Sequence, residues 1–396
     1  MSKRGTLIAI FILLAHWVNA QTRLTGKVTD SATLAPLANV SVYIANTTIG
    51  TITDKDGGYS LSDLHPGRYQ LVVSSVGYST KVAEINAGEG EHTINIALSI
   101  KATALKEIII GTHDWQYNLG LFKYEFLGTN NKQDCKILNE DILDLNFKNN
   151  RLTASTDDFL DIQNTLLGYK LRFLVKEFWV DYTTKKCHYL GSAIFEPMHG
   201  SPKDEKRWAK NRLAIYNTSF RHFLVSASRN QATDDGFVMR KMTREPDQTR
   251  PPDDIIKQKI AFFAAHYRTR HAPDSLYKWN KILRTPKIAS RLAPGLLHEG
   301  DIIKPGPQPG TFSLQFADYL YVIYKKKKVD LDFDNLMRFR EAADYQIACV
   351  ALKNDKQPTL FDSRGILLSR ESLYYEGAWN NWIVSLLPSD YEPEQE

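Results

Sequence analysis

Asp54 and Asp56 stand two residues apart in Thr53-Asp54-Lys55-Asp56-Gly57-Gly58-Tyr59-Ser60-Leu61, the way many calcium loops begin. An EF-hand loop opening at Asp54 needs glycine at its sixth position and glutamate at its twelfth, since six or more oxygens must close around the ion. Those positions hold Tyr59 and His65. The stretch is therefore expected to be a tight turn, with Asp54 and Asp56 shaping backbone and Tyr59-Ser60-Leu61 leaving it as a strand.

Other chemistry-bearing residues are scattered. Cys187-His188 with His199 is the one candidate set for zinc, yet adjacent residues on a strand point to opposite faces. His266 and His271, around His266-Tyr267-Arg268-Thr269-Arg270-His271, are expected to cap a helix end. None of the ten histidines is followed by glutamate three residues on. H-E-x-x-H, G-x-S-x-G, P-loop and dinucleotide patterns are absent too. Asp181, Glu196 and Asp234 could enter a dispersed site, as any acid could. Trp179, Trp208, Trp279, Trp379 and Trp382 could line a groove, although large aromatics mostly fill cores. No catalytic, cofactor or metal residue is assigned, and no cofactor is expected. The three cysteines permit one disulfide in an oxidising compartment. Cys135 with Cys187 is the pair to test, because Cys349 lies in a buried-looking strand, Tyr345 to Leu352.

These residues need elements to hold them. Lys3 and Arg4, the apolar run Leu7 to Ala15 and Val18-Asn19-Ala20 read as a secretory leader cleaved after Ala20. No cysteine follows the cleavage site, which argues against a lipid-anchored end, and no later segment is apolar and long enough to span as a helix. The formal charge of +5 falls by two when the leader's Lys3 and Arg4 are removed. That balance offers no nucleic-acid footprint. Lys325 to Lys328 is the only basic run and is expected to be a solvated strand end.

From Leu24 to Leu98 short apolar alternations are broken by proline and glycine turns. Val40, Val42 and Ile44 share one face, as do Tyr69, Leu71 and Val73, then Ile94, Ile96 and Leu98. Tyr43, Tyr59, Tyr69 and Tyr78 occupy strand-like or post-turn positions and are expected to be core or half-buried. Gly26 to Asp30, Pro36 to Val40, Gly50-Thr51, Thr53 to Gly57, Leu64 to Tyr69 and Val76 to Tyr78 together resemble the carboxypeptidase regulatory-like domain. The resemblance implies a seven-stranded, antiparallel, transthyretin-like β-sandwich of the carbohydrate-binding-like group. It brings in the accessory sandwich and not the peptidase, whose H-x-x-E pattern is missing. Leu105 to Gly111 is similar to the segment that joins such a sandwich to the plug of TonB-dependent receptors. The remaining length is too short for a 22-stranded barrel with a plug.

The rest reads as an α+β domain with a β-rich frame and a helical segment from roughly 203 to 285. Leu143 to Tyr182 is strand-rich. Helices are expected over Lys203 to Ala227, Asp253 to Tyr267 and after Pro273; strands resume at Thr311 to Tyr324, Tyr345 to Leu352 and Gly365 to Ser369. This part resembles the uncharacterised C-terminal region of secreted carboxypeptidase-regulatory-like proteins of Gram-negative bacteria, which implies no reaction. The expected organisation is 1–20 leader, 21–101 sandwich, 102–115 linker and 116–396 α+β domain. The expected function is that of a secreted, non-catalytic envelope protein in the periplasm or at the outer membrane. Its partner would be an envelope protein or glycan, not nucleic acid. A hydrolase of envelope glycan or peptide, and a carbohydrate-binding or outer-membrane transport accessory, are the alternatives.

Overall fold

The computed structural model describes residues 22–88, 90–101, 113–128, 134–183, 186–269, 271–285, 287–328, 339, 342, 344–354, 357–368, 372–379 and 382–393. The leader and most of the expected linker lie outside the described residues. Two compact units divide the chain: Met1–Ile215 with Trp382–Glu396, and Tyr216–Asn381. Among the described residues no helix is long and apolar enough to cross a membrane.

The first unit opens with β1 (Thr22–Asp30), β2 (Ser41–Ile44), β3 (Gly50–Ile52), β4 (Gly58–Leu64), β5 (Gly67–Ser74), β6 (Lys81–Ala87), β7 (Glu91–Thr93) and β8 (Ile96–Leu98). They form two facing sheets, β4-β1-β7 with β8 also on β1, and β3-β2-β5-β6. Leu24, Val28, Val40, Val42, Ile44, Leu71 and Val73 fill the space between them. The expectation of seven antiparallel strands needs correction: among the described residues there are eight strand segments, and β7 and β8 run parallel to β1. What reads as one alternating strand is broken at Asn95, whose side-chain oxygen accepts the Lys27 N–H at 2.9 Å in place of a ladder carbonyl.

The β3-β4 connection is the Asp54 turn. Asp54 Oδ1 accepts the backbone N–H groups of Asp56 (2.9 Å) and Gly58 (2.8 Å). Gly57 between them has φ +73°, and a Cβ there would stand 2.5 Å from the Val28 carbonyl, so only glycine fits. Asp54 satisfies two N–H groups that the turn removes from any ladder. Replacing Asp54 and Asp56 together with alanine should cost about 1–2 kcal/mol of stability. Melting should be equally insensitive to calcium and to chelator in both proteins, and metal-dependent melting that disappears in the double variant would contradict the turn assignment.

The sandwich is followed by α1 (His113–Lys123), which continues as a π-turn over Tyr124–Gly128. Then come β9 (Cys135–Ile137), β10 (Leu143–Lys148), β11 (Arg151–Thr156), β12 (Leu160–Asn164), β13 (Tyr169–Asp181), β14 (Lys186–Pro197) and α2 (Pro202–Asn217). The sheet order is β10-β11-β13-β12-β9, with β14 on β13. Phe122, Phe126, Phe173 and Phe178 pack edge-on or stacked in its core. Trp208, Asn211 and Arg212 of α2 donate to the carbonyls of Thr165, Leu166 and Leu167, so the helix caps the β12-β13 turn. The C-terminal segment returns to this unit: Ile383 is fully buried in the same core, and Asn164 donates to the Ile383 and Val384 carbonyls.

The Cys135–Cys187 pairing is corrected here, since all three cysteines are free thiols. Cys135 lies opposite Asn164, level with Tyr169 at the start of β13, whereas Cys187 lies opposite Val180 near its end. Along a straight strand that is roughly 35 Å, against the 4.4–6.8 Å between Cα atoms that a disulfide spans. Burial pushes each thiol up to about 12.

The second unit holds α3 (Phe220–Ser228), β15 (Phe237–Pro246), α4 (Asp253–Ala265), α5 (Ala272–Arg284), β16 (Ile288–Leu297), α6 (Glu299–Ile302), β17 (Ile303–Pro305), β18 (Thr311–Leu314), β19 (Tyr319–Lys328), β20 (Tyr345–Leu352), β21 (Thr359–Asp362) and β22 (Leu373–Gly377). The main sheet is β16-β15-β19-β20-β22, and β17-β18-β21 form a smaller one. Two expectations fail. The segment from 203 to 285 is not helical throughout, because β15 runs through it; a register shift between Arg240 and Met242 breaks the alternation that would have marked it. Gly365 to Ser369 forms no strand: among its described residues only Leu367 bridges to Phe361. Lys325 to Lys328 are the exposed end of β19, as expected, with Lys328 3.1 Å from Asp344.

Candidate functional site

The sandwich is seated on the neighbouring sheet of its own unit through the turn after β2. Asn46, at φ +62°, donates its N–H to the Ala193 carbonyl at 2.6 Å and accepts the Ala193 N–H on Oδ1 at 3.3 Å. Thr47 bridges to Ile194, and Phe195 N–H donates to Thr47 at 3.1 Å. Thr48 bonds the Asp390 carboxylate through both its N–H and its hydroxyl. Beneath these contacts Tyr43, Ala45 and Val72 of the sandwich pack with Phe159 and Ile194. Tyr43 and Val72, which point away from the inner face of β2 and β5, are therefore buried as well.

Beside this seam opens a cleft of about 260 Å³. The sandwich lines it with Asn39, Ser41, Ser74, Ser75, Tyr78 and Thr80, a row of amide and hydroxyl groups, with Lys101 at one end. The sheet contributes Asp157, Asp158 and Arg172. Lys101 Nζ donates to the Asp157 carbonyl at 3.0 Å and so ties the two walls together. Arg172 is half-buried, with its guanidinium 4.8 Å above the Phe159 ring and Nε 3.9 Å from Asp161. That approach is too long for a hydrogen bond, so among the described residues the planar donor fork of Arg172 has no hydrogen-bond acceptor. Below it, the buried Tyr43 hydroxyl also lacks a partner among the described residues. Burial holds the Tyr43 phenol well above its ordinary value, opposed by the Arg172 charge and reinforced by Asp158.

Tyr78 is fixed from behind. Its hydroxyl donates to Asp30 Oδ2 at 3.0 Å, while Asp30 Oδ1 accepts the N–H groups of Ala32 and Thr33 at 2.8 Å each. The Thr33 and Ala32 amides, then the Tyr78 hydroxyl, hold the Asp30 carboxyl below the usual carboxylate value despite its burial. Its pKa being lower folded than unfolded, this group stabilises the fold above the unfolded value near 3.9 and stops doing so as pH falls through the folded one. The melting temperature should consequently drop more steeply below about pH 4 in the wild type than in Asp30→Asn. Parallel pH-melting curves for the two proteins would contradict this role.

The residues weighed from the sequence are not brought together. Cys187 packs toward the Phe126 core, and His188 lies 5.6 Å from the Trp179 ring. Among the described residues no three His, Cys, Asp or Glu side chains form a metal-binding group. His266 is the C-terminal cap of α4, its Nδ1 2.7 Å from the Phe262 carbonyl; His271 stands at the N-cap of α5 without a side-chain capping bond. Asp181 accepts the Thr183 N–H, whereas Glu196 and Asp234 are exposed. Trp208 and Trp379 are buried and donate to backbone carbonyls, and Trp179, Trp279 and Trp382 are half-buried. None of the weighed acids or tryptophans lines the cleft.

Comparison with protein families gives a match to the first part of this unit. Residues 24–110 match the CarboxypepD_reg-like domain. This CarboxypepD_reg-like domain is the sandwich described above, and it supplies most of the cleft wall. A TonB-dependent receptor P39 from Formosa agariphila is 33% identical over 93 residues, which is 24% of this chain and 8% of that receptor. The chain thus matches less than a tenth of that relative's length. Among solved structures, a cohesin–X-dockerin complex from Acetivibrio cellulolyticus is 23% identical, covering 19% of this chain and 56% of that one at a TM-score of 0.17. A putative carbohydrate binding protein from Bacteroides uniformis is 8% identical, covering 43% of this chain and 78% of that one, also at 0.17. Both scores are too low for a shared overall fold.

Proposed function

We propose that this is a non-catalytic binding protein of the cell envelope, and that the cleft beside the CarboxypepD_reg-like domain takes a polyhydroxylated ligand of sugar type. The observation that carries this reading is the half-buried Arg172 fork, its guanidinium 4.8 Å over the Phe159 ring and without a hydrogen-bond acceptor among the described residues, in a cleft that serine and threonine also line. A sugar presents vicinal hydroxyls that both donate and accept, and a planar guanidinium can reach two of them at once. Serine, threonine and asparagine supply the complementary partners. The leader-like first twenty residues and the match to part of a TonB-dependent receptor support the envelope location.

Catalysis has less support. A glycosidase needs two carboxyl groups flanking the scissile bond, whereas Asp157 and Asp158 are neighbours on one loop and Asp158 Oδ1 already accepts the Phe159 N–H at 2.8 Å. Incubating the purified protein with glycan and peptide panels should return every substrate intact. Sustained turnover that is lost in Asp157→Asn or Asp158→Asn would overturn the binding-only reading in favour of a hydrolase.

A further inference from the structure

The helical hairpin α4-α5 is braced at its base and carries exposed apolar side chains on both helices. β15 and β16 stay paired as far as Pro246 and Ile288, and Asp247 N–H donates to the Lys287 carbonyl. Above them the buried Arg250 bonds the Thr285 and Leu283 carbonyls and lies 2.8 Å from Asp253, which also meets Lys287 at 2.6 Å. The hairpin is thus a built element. Ile256, Ile260 and Phe263 of α4, with Leu276, Trp279 and Ile282 of α5, are its sheltered apolar positions.

The outward positions are different. Ile255 is 39% exposed, Phe262 55%, Tyr267 59% and Tyr277 73%. Cations alternate with them at helical spacing: Ile255, Lys259 and Phe262 follow one another along α4, and Tyr277, Lys281 and Arg284 along α5. Lys257, Arg268 and Lys278 are exposed as well. Of the acids on these helices, Asp253 is committed to Arg250 and Lys287, which leaves only Asp254 and Asp274 to oppose that charge.

We propose that the α4-α5 hairpin docks onto the surface of an anionic phospholipid bilayer. Lysines and arginines reach the phosphate plane while phenylalanine, tyrosine and isoleucine between them enter the boundary of the acyl chains, the pattern of an interfacial helix. A protein–protein interface core would be depleted of lysine, and the phosphate backbone of a nucleic acid offers Ile255 and Phe262 no apolar environment to enter. This inference stands on the hairpin alone and does not depend on the cleft.

The full chain should co-sediment with vesicles of phosphatidylglycerol and phosphatidylcholine, lose that binding progressively with added salt, and ignore vesicles of phosphatidylcholine alone. The triple variant Lys259→Ala, Lys281→Ala, Arg284→Ala should bind about a hundredfold more weakly. Phe262→Ser with Tyr277→Ser should weaken binding while melting as the wild type does, since both side chains are exposed. Absence of binding to the anionic vesicles, equal binding to both kinds, salt-independent binding, or capture of DNA or an acidic polypeptide without vesicles would overturn the proposal.

Discussion

Gly168→Ala should be among the most destabilising single-methyl additions in this chain, lowering the stability of the first unit by about 2–5 kcal/mol. Two penalties act together. Gly168 has φ +69°, where an L side chain costs roughly 1–2 kcal/mol. A Cβ there would also stand 2.2 Å from the Trp208 indole, so either the ring or the turn must move. Neither moves cheaply. Trp208 Nε1 is bonded to the Thr165 carbonyl at 2.9 Å, and the Gly168 carbonyl already accepts from Met198 N–H and Arg212. Shifting α2 to make room would also disturb Arg212, whose guanidinium lies 4.1 Å over Tyr169. Urea unfolding with tryptophan fluorescence reports the loss directly. A midpoint within error of the wild type would mean that α2 is not fixed to this turn.

Arg172→Ala should weaken binding at the cleft by roughly ten- to a hundredfold, the worth of charge-assisted hydrogen bonds that the fork would make to the ligand. Stability should change little, because the side chain is partly solvated and its ion-pair partner Asp161 lies 3.9 Å away. Arg172→Lys should restore affinity only in part, since an ammonium lacks the rigid planar fork that aims two N–H groups in parallel. Equilibrium titration of the three proteins with one bound glycan checks all of this. Equal affinity in all three would remove Arg172 from the site.

The sandwich was legible because its turns are written in residue types that only turns tolerate. Asp54-Lys55-Asp56-Gly57 had a readable geometry, and Asp54 indeed accepts two N–H groups of its own loop. Strand faces were half legible. Val40, Val42 and Ile44 marked the inner face, but Tyr43 and Val72 are buried by Phe159 and Ile194, which come from far along the chain and leave no trace in local alternation. β15 was hidden by its own irregularity between Arg240 and Met242, and the break at Asn95 was masked by apolar residues on either side. The cleft was not legible at all. Asn39, Ser74, Lys101, Asp158 and Arg172 are ordinary surface types in five separate stretches. The Asn46 seat on β14, with the Thr48–Asp390 and Lys101–Asp157 bonds, brings them to one place, and nothing in their spacing announces it.

The central claim is that the cleft binds a polyhydroxylated ligand without turning it over. Screening the intact protein against a panel of soluble glycans, with calorimetric titration of those that bind, tests it most directly when Arg172→Ala is run beside the wild type. Saturable wild-type binding to a subset of glycans, lost in a variant that melts at the same temperature, is the predicted result. Failure of every glycan to bind, or binding that survives Arg172→Ala unchanged, would contradict the account.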